Sequence, residues 1–513
     1  MRSVLAALRR GFSSCELVLL LLAALVVHLV LAANVCVVNN DGVRYINAAL
    51  ELLDGHWAQA FVHEKMLAYP LVLSEVLKVI PDWLRAGQAV SVVFLTLTVI
   101  PLYLLARDLA GRAAAFWGCC LFVTMPLFNT LATSLYKDGV FLFFIMSALF
   151  FGVRGVMKQR WIWFLLAFLS AAFASLFRLE GIVLILAFAI ELVVLAAVTR
   201  QWRVWGRCLL GFAVLPLLGL VLAGLWALAG GLAEGTSGAL VWERIGSHYF
   251  GGDPMACYMQ IYRHLRDVEE LFPGGKWGAD FFEIARHHIW LIYLIGFAER
   301  QIRLLMGVLV LPLVAGFFRR DHQCPGWYTL FWVTLSYWGM GYFFILTHNF
   351  LSGRYLAAPT LFLLPLAGLG MTWLFEKARA SRFPRLLAAA LLLVMVLGPL
   401  NKSLNRLREN DLAVRDAGMW LRGESVSGVL TNSERTMFHA RFPRSRYADV
   451  QEERTVEKME KLLPQRRDIA TLVVEAPDAS SFPEKLAGCF LRERVFAGRR
   501  LAVAVYRRME GAP

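Results

Sequence analysis

Eleven long apolar stretches run through the sequence, and they limit the possible folds more than any other feature. They lie near residues 17–36, 86–106, 113–135, 139–153, 161–177, 181–199, 208–231, 300–318, 326–347, 355–375 and 385–400. A helix needs about 17 to 25 predominantly apolar residues to cross a bilayer. The composition agrees, because 58% of the residues are hydrophobic and 18% are charged. We therefore predict a mainly α-helical, polytopic membrane bundle with about eleven transmembrane helices.

The basic residues between these stretches predict the orientation. If the N-terminus is cytoplasmic, the inner segments 1–16, 107–112, 154–160, 200–207, 319–324 and 376–385 together carry 17 Lys and Arg residues. The three short outer loops, near 136–138, 178–180 and 348–354, carry one each. Cytoplasmic loops are normally the ones enriched in Lys and Arg. The net charge of +14 is thus attributed to topology, and no nucleic-acid partner is expected.

Three longer segments then lie outside: 37–85, 232–299 and the tail from 401. The first is predicted to contain two helices lying along the membrane, and Gly55 is expected to end the amphipathic helix that precedes it. The apolar face of this helix consists of Val43, Ile46, Leu50 and Leu53. Its polar face consists of Arg44, Asn47, Glu51 and Asp54.

The tail is predicted to form a small periplasmic α/β domain. Helical patterns at 411–423 and 455–463 alternate with β-rich runs at 427–432, 470–476 and 501–508. The tail has no glycine-rich phosphate loop, so no nucleotide site is expected. We therefore predict a transmembrane domain over 1–400, including outer loops 37–85 and 232–299, and a periplasmic domain over 401–513.

Charged residues gather at the predicted outer ends of the spans. They are Asp41, Glu64, Lys65, Lys137, Asp138, Arg178, Glu180, His348 and Arg354. Taken singly, each has a structural explanation, because boundary charges extend to the headgroups and ion pairs join helix ends. Asp41 in particular could cap the helix that follows it. Convergence of so many on one side favours a functional role.

Acids and cations at a lipid interface suit the transfer of a sugar from a polyprenyl phosphate carrier to an acceptor hydroxyl. The phosphate leaves as an anion and needs no general acid, unlike the alkoxide released in glycoside hydrolysis. One carboxylate takes the acceptor proton while cations hold the phosphate. Asp41 is the candidate base. The candidate phosphate ligands are Lys65, Lys137, Arg178 and Arg354.

Five short motifs occur in a characteristic order: "DGVRYINAALELLDGHW", "HEKMLAYPL", "YKDG", "FRLEG" and "GRYLAAP". This order resembles the GT-C membrane glycosyltransferases, in particular bacterial protein O-mannosyltransferases and aminoarabinose transferases, over nearly the whole chain. The resemblance implies a donor such as an undecaprenyl phosphate sugar, inversion at the anomeric carbon, Asp41 as catalytic residue, and phosphate contacts from Lys65 and Arg354. The remaining motif residues are expected to support them: Glu64, Tyr69, Asp138, Glu180, His348 and Tyr355.

The sequence departs from that family in its first loop. Gly42 stands where many relatives have Glu, and Met66 and Leu67 stand where many have two prolines. The second acid is missing and no Asp-x-Asp occurs. We therefore expect no cofactor and no obligatory metal.

These features predict an inverting hexosyl- or pentosyltransferase on the outer face of a bacterial inner membrane, with a lipid, glycan or protein acceptor. Two alternatives remain open. The first is a flippase or transporter of lipid-linked saccharides, which inverted repeats would favour. Glu191 lies within a predicted span, and a proton-relay role for it would also favour a transporter, whereas a hydrogen-bonded structural role would not. A polysaccharide polymerase or ligase with a pyrophosphate-linked donor would share the many spans and outer arginines.

Overall fold

The computed structural model describes residues 2–226, 255–271, 275–381, 383–406, 412–424, 426, 428–449, 468–499 and 501–509. Helices predominate, and the strands among these residues all follow residue 428. The expected helix over 455–463 and the start of the expected outer loop 232–299 lie outside the described residues.

The helices before residue 227 follow one another with short connections. They are α1 (Arg2–Asn34), α2 (Asn40–Leu53), α3 (Trp57–His63), α4 (Ala68–Leu77), α5 (Trp83–Ala110), α6 (Arg112–Thr124), α7 (Pro126–Thr133), α8 (Asp138–Lys158), α9 (Trp161–Phe177), α10 (Gly181–Thr199) and α11 (Trp202–Trp226).

The described helices after residue 254 continue this pattern up to the tail. They are α12 (Ala256–Leu271), α13 (Gly275–His287), α14 (Ile289–Leu304), α15 (Val310–Arg319), α16 (Pro325–His348), α17 (Ala357–Phe362), α18 (Leu364–Arg379), α19 (Pro384–Leu392), α20 (Gly398–Arg406), α21 (Leu412–Gly423) and α22 (Glu434–His439). A 3₁₀ turn, Gly353–Leu356, precedes α17, and a π-helical turn, Leu393–Leu397, joins α19 to α20.

Six of the described helices are long and apolar enough to cross a membrane, or up to eight if each of two bent pairs counts as one span. The bent pairs are α6 with α7 and the Gly353–Phe362 segment with α18, each bent by 56°. At the first bend Met125 is extended because it precedes Pro126, which disfavours a helical conformation. The multi-span membrane class is confirmed, whereas the count of eleven stays a prediction.

The expected span over 300–318 is not one continuous helix. Helix α14 ends at Leu304 and α15 begins at Val310. Between them Met306 and Gly307 adopt φ values of 56° and 70°. Residues in the left-handed conformation cannot continue a right-handed helix. The helix is therefore interrupted at Met306 and Gly307, although the sequence stays apolar.

The chain divides into two compact units. The bundle unit contains Met1–Val27, Val93–Asn129 and Asp138–Leu400, and the loop–tail unit contains His28–Val92, Thr130–Lys137 and Asn401–Pro513. The first outer loop thus shares a compact unit with the tail. The functional division at residue 400 stays a prediction.

Large aromatic residues fill the core of the bundle unit. Phe122, Phe164, Phe188, Trp327 and Phe362 are each less than 2% exposed. Burying such side chains contributes roughly 1.5 to 3 kcal/mol each. Their burial therefore stabilises the packing of these helices against one another.

The loop–tail unit contains a mixed six-stranded sheet, as the α/β prediction for the tail required. Its strands are β1 (Val429–Thr431), β2 (Tyr447–Asp449), β3 (Thr471–Ala476), β4 (Lys485–Leu486), β5 (Phe490–Ala497) and β6 (Ala502–Arg508). The spatial order is β2-β1-β3-β6-β5-β4. The pairs β1–β2 and β1–β3 are parallel, and the other pairs are antiparallel.

Both faces of this sheet are covered. Val473 and Val505 pack with Val414 and Leu421 of α21 on one face. The alternate residues of the same strands, such as Leu472, pack with a second apolar cluster on the other face. Because side chains alternate along a strand, the apolar runs over β3 and β6 bury both sets at once.

Candidate functional site

Helix α2 begins without the cap that the sequence suggested. Its N-cap position is Asn39, which is extended, and Asp41 is the second residue of the helix, within its first turn, rather than the cap. The side-chain amide of Asn39 donates to the carbonyl oxygen of Leu135 at 3.1 Å and accepts from the N–H of Leu135 at 3.0 Å. The interpretation of Asp41 as the N-cap is therefore wrong. Asp41 is partly exposed.

The predicted end of α2 is confirmed at Gly55. Gly55 has a φ of 79°, its N–H donates to the carbonyl oxygen of Leu52, and the N–H of His56 donates to that of Glu51. This is the Schellman arrangement, in which a glycine outside the helix adopts the left-handed conformation.

The predicted faces of α2 are only partly correct. Val43 and Ile46 are buried, but Asn47, expected on the polar face, is 5% exposed, and Leu53 is 39% exposed. Helices α3, α4 and α22 all contact α2. A helix with neighbours on several sides buries part of its polar face as well.

Five of the predicted residues belong to the loop–tail unit, namely Asp41, Glu64, Lys65, Tyr69 and Lys137; together with Tyr45 we call them the first-loop cluster. At its centre Lys137 Nζ donates to Glu64 Oε1 at 3.2 Å. The Lys137 ammonium also lies 5.6 Å from the centroid of the Tyr45 ring, within cation–π range. Tyr45 in turn meets the buried Tyr69 edge-on at 5.1 Å.

The two basic residues of the first-loop cluster differ in their surroundings. Lys137 has a side chain only 17% exposed and is paired with Glu64. Lys65 is partly exposed, and among the described residues no carboxylate lies within ion-pair distance of it. Lys65 can therefore meet an external anion without first breaking an ion pair.

A second group lies in the bundle unit; we call Asp138, Arg178, Glu180, Arg354 and Tyr355 the arginine cluster. Asp138 is the first residue of α8, and Arg178 and Glu180 lie between α9 and α10. The guanidinium of Arg178 donates to Asp138 Oδ1 and, through Nε at 3.2 Å, to Glu180 Oε1. Burial by itself lowers the pKa of Arg178. The carboxylates of Asp138 and Glu180 have the larger combined effect, so the pKa of Arg178 lies well above its ordinary value.

Arg354 is more exposed than Arg178 and lies farther from Asp138. Its Nη1 lies 3.8 Å from Asp138 Oδ2, and its side chain is 27% exposed, against 9% for Arg178. The oxygen Asp138 Oδ2 is buried and accepts no hydrogen bond within the described part of the chain. Ser352 caps the 3₁₀ turn that carries Arg354, because its side chain accepts from the Arg354 N–H at 3.5 Å.

Aromatic side chains support the arginine cluster. The guanidinium carbon of Arg178 lies 4.9 Å from the centroid of the Tyr355 ring, and Tyr355 packs on Phe344 at 4.4 Å. The ring of His348 also stacks on Phe344, with the ring centroids 4.2 Å apart. Thr347 Oγ1 lies 2.7 Å from Nδ1 of His348. Among the described contacts His348 meets no carboxylate of this cluster.

Sequence reasoning missed one residue of these clusters, Tyr45, and two residues that support neighbouring segments, Asn39 and Tyr337. Asn39 positions Leu135, Tyr45 packs over Lys137, and the hydroxyl of Tyr337 donates to the carbonyl oxygen of Glu180 at 2.7 Å. Tyr45 lies inside a motif already singled out. Tyr337 is a polar residue within an apolar span, which was the available signal.

Glu191 is hydrogen-bonded inside the bundle unit. Thr329 Oγ1 of α16 donates to Glu191 Oε1 of α10 at 2.5 Å. This contact agrees with the structural interpretation of Glu191. Among the described residues, no group of three or more His, Cys, Asp and Glu side chains is placed to hold a metal ion.

The comparisons with known proteins identify the fold. Residues 64–226 match the family described as dolichyl-phosphate-mannose-protein mannosyltransferase. The structure is similar to that of ArnT from Cupriavidus metallidurans bound to undecaprenyl phosphate, with 16% identity, a TM-score of 0.55, and coverage of 95% of this chain and 97% of that one. The chain has the GT-C fold. The predicted fold class and the resemblance to the GT-C superfamily are confirmed.

Other structures share this GT-C fold. An oligosaccharyltransferase from Archaeoglobus fulgidus in complex with Zn and sulfate is 12% identical, with a TM-score of 0.52 over 89% of this chain and 68% of that one. No protein of curated function matches the sequence. The family match includes Glu64, Lys65 and residues 137–180 but neither Asp41 nor Arg354.

Proposed function

We propose that this GT-C protein is an inverting glycosyltransferase that moves a hexosyl or pentosyl group from a polyprenyl phosphate to an acceptor hydroxyl. The observation that carries the proposal is that the likeness to ArnT, described as bound to undecaprenyl phosphate, extends over 95% of this chain. A lipid, glycan or protein would supply the acceptor. The reaction would take place on the outer face of a bacterial inner membrane, with the tail in the periplasm.

Asp41 is the proposed general base. Asp41 is a partly exposed carboxylate in the first turn of α2, and it does not occupy the cap position. In the proposed reaction it takes the proton of the acceptor hydroxyl as the oxygen forms a bond to the anomeric carbon. The bond from that carbon to the phosphate oxygen breaks on the opposite face, and polyprenyl phosphate leaves as an anion.

Lys65 and Arg354 are the proposed ligands of the donor phosphate. Both are partly exposed, and Nη1 of Arg354 lies 3.8 Å from Oδ2 of Asp138. Charge that builds on the leaving phosphate is stabilised best by cations already in place. The planar guanidinium of Arg354 can also donate two parallel hydrogen bonds to one phosphate.

Lys137 and Arg178 both hold carboxylates. Each donates to an acid at hydrogen-bond distance, Lys137 to Glu64 and Arg178 to Asp138 and Glu180. To bind phosphate they would have to exchange a buried partner for the donor. We propose that their first role is to position these acids, with phosphate contact following when the donor arrives.

The test is the consumption of defined donors by the purified protein in detergent. A panel of undecaprenyl phosphate sugars is incubated with the protein and candidate acceptors, and released undecaprenyl phosphate is measured together with glycosylated acceptor. A glycosyltransferase releases the carrier and labels the acceptor. A transporter leaves every donor intact, because detergent leaves no second compartment. Consumption of pyrophosphate-linked donors alone would identify a polymerase or ligase.

A further inference from the structure

An apolar groove runs between α9 and α11 in the bundle unit. Its cavity has a volume of about 310 Å³ and is lined by Trp161, Leu165, Arg207, Leu210, Gly211 and Val214. Trp161, Leu210 and Val214 are 51%, 63% and 52% exposed. The groove is therefore open on one side along the surface of two apolar helices.

Gly211 forms the floor of the groove. A Cβ atom at this position would lie 3.0 Å from Trp161 Cβ and 3.1 Å from the Trp161 carbonyl oxygen. Because residue 211 has no side chain, the first turn of α9 lies directly against α11. The Trp161 side chain then forms one wall, and Leu210 and Val214 lie along the other.

One end of the groove is strongly basic. Arg207 lines it, four residues before Gly211 and so about 6 Å further along the axis of α11. Arg203 lies one turn beyond Arg207, and Arg160 directly precedes α9; all three are exposed. Among the described residues none of the three has a carboxylate within ion-pair distance, and no acid occurs in 154–165 or 200–214.

We propose that this groove binds one anionic phospholipid of the bilayer, independently of the glycosyl transfer proposed above. The headgroup phosphate lies at Arg207, with Arg203 and Arg160 nearby, and an acyl chain lies along Leu165, Leu210 and Val214. Trp161 is placed at the boundary between the two parts, where indole rings are enriched in membrane proteins. Basic pockets between transmembrane helices are known to bind anionic headgroups.

The charge pattern favours a phospholipid over a second protein helix. A transmembrane helix would meet the apolar wall but would leave three uncompensated arginines at its end. A soluble anion would meet the arginines but would leave the exposed apolar wall uncovered. Only an amphiphile with an anionic head matches both parts of the groove.

The experiment compares two lipids on the purified full-length protein. Native mass spectrometry counts phosphatidylglycerol and phosphatidylcholine molecules retained as each lipid is titrated into the detergent solution. We expect phosphatidylglycerol to bind more tightly than phosphatidylcholine, and Arg207→Gln to weaken the former about fivefold without affecting the latter. The control is Arg379→Gln, which removes an exposed arginine from the predicted cytoplasmic side away from the groove.

A second measurement locates the bound lipid. Brominated phosphatidylglycerol quenches tryptophan fluorescence on contact, so quenching should be smaller in Trp161→Phe than in the wild type and in a Trp202→Phe control. Equal affinity for both lipids, or undiminished phosphatidylglycerol binding by Arg207→Gln, would overturn the proposal. Equal quenching in the two tryptophan variants would also overturn the assigned position.

Discussion

The side chain of Asn39 pairs with the backbone of Leu135 through two hydrogen bonds, of 3.1 and 3.0 Å. Asn39 occupies the N-cap position of α2, yet its side chain makes no cap hydrogen bond. The pair instead joins the start of α2 to the segment that leads into Lys137. The start of α2 is thus fixed by a tertiary contact, which separates the structural role of Asn39 from the role proposed for Asp41.

Asp41→Asn should therefore abolish turnover while the protein still folds. The amide keeps the size and hydrogen-bonding capacity of the side chain but cannot take a proton from the acceptor. General-base catalysis typically contributes about 10² to 10⁴-fold in rate. We expect a loss of at least 100-fold in turnover, measured as released polyprenyl phosphate, with unchanged donor binding.

Glu51→Gln is the matched control for Asp41→Asn. Glu51 lies on the same helix, and its carboxylate meets His56 at 3.2 Å. Loss of this surface pair should cost little in stability and nothing in turnover. Full activity of Asp41→Asn with a verified donor and acceptor would remove Asp41 from the mechanism.

Arg354→Lys should weaken donor binding, and Arg354→Ala should weaken it further. Lysine keeps the charge but loses the planar fork that can hold a phosphate through two hydrogen bonds. A lost charge-assisted hydrogen bond costs roughly 1.5 to 3 kcal/mol, which corresponds to about a 10- to 150-fold increase in Kd. Titration with a polyprenyl phosphate sugar measures this increase.

The control for Arg354 is Arg303→Ala, which removes an exposed arginine paired with Glu299 on the same unit. It should leave donor affinity unchanged. If Arg354→Ala binds the donor as tightly as the wild type, another cation must hold the phosphate.

Gly42→Ala should destabilise the protein. A Cβ atom at residue 42 would lie 2.7 Å from Leu135 Cβ and 3.0 Å from Val38 Cγ2, so the packing must shift. Overpacking of this kind typically costs about 1 to 3 kcal/mol. Gly296→Ala is the control, because a Cβ there meets nothing within 4 Å and alanine favours the helix. Thermal unfolding should show a lower Tm for the first variant only.

The same contact accounts for glycine at a position where the sequence analysis noted a departure from the GT-C pattern. A glutamate at residue 42 would clash with Leu135 more severely than alanine. A Gly42→Glu variant with wild-type Tm would show that the Asn39 and Leu135 segments can separate without cost, and would contradict the explanation.

The helices were predictable from the sequence because each apolar run contains the information for its own helix. The interruptions within apolar runs were not predictable. The positive φ of Met306, for example, cannot be read from the hydropathy of the sequence. Strand β5 was also missed, because "FLRERVFA" carries three charges, and only pairing with β6 makes it a strand.

The candidate residues were predictable as span-end charges, but their pairing was not. Arg178 and Asp138 are 40 residues apart in sequence, and Asn39 and Leu135 are 96 apart. No local pattern encodes such contacts. Glu475 of the tail shows the same limit, because it accepts hydrogen bonds from Ser433 and Arg435, which are 42 and 40 residues away in sequence.

The positive-inside distribution predicts the location of both ends of the chain. Alkaline phosphatase fused after Pro513 should be active, because this reporter folds only in the periplasm. A truncated fusion after Arg200, within a predicted inner segment, should be inactive and serves as the control. An inactive fusion at Pro513, with an active cytoplasmic reporter at the same position, would reverse the proposed side of the reaction.

His439 should make the stability of the loop–tail unit depend on pH. It ends α22, and its Nε2 accepts a hydrogen bond from the N–H of Val38 at 3.4 Å. Burial, followed by the positive charges of Arg415 and Arg435, lowers its pKa from 6.5 to about 4. The ring is therefore neutral at pH 7 and can accept the Val38 hydrogen bond.

The direction of the pH effect follows from where each state binds a proton. As the pH falls below 6.5, His439 of the unfolded chain becomes protonated, whereas the folded protein resists protonation down to about pH 4. Stability should thus be constant above pH 6.5 with respect to this group and fall between pH 6.5 and 4, by up to about 3 kcal/mol. His439→Gln keeps an acceptor for Val38 but cannot titrate, so its Tm should fall less steeply over this range. The control is His264→Gln, which replaces an exposed histidine and should show the same dependence of Tm on pH as the wild type. If Tm depends on pH identically in all three proteins, His439 is protonated alike in the folded and unfolded states.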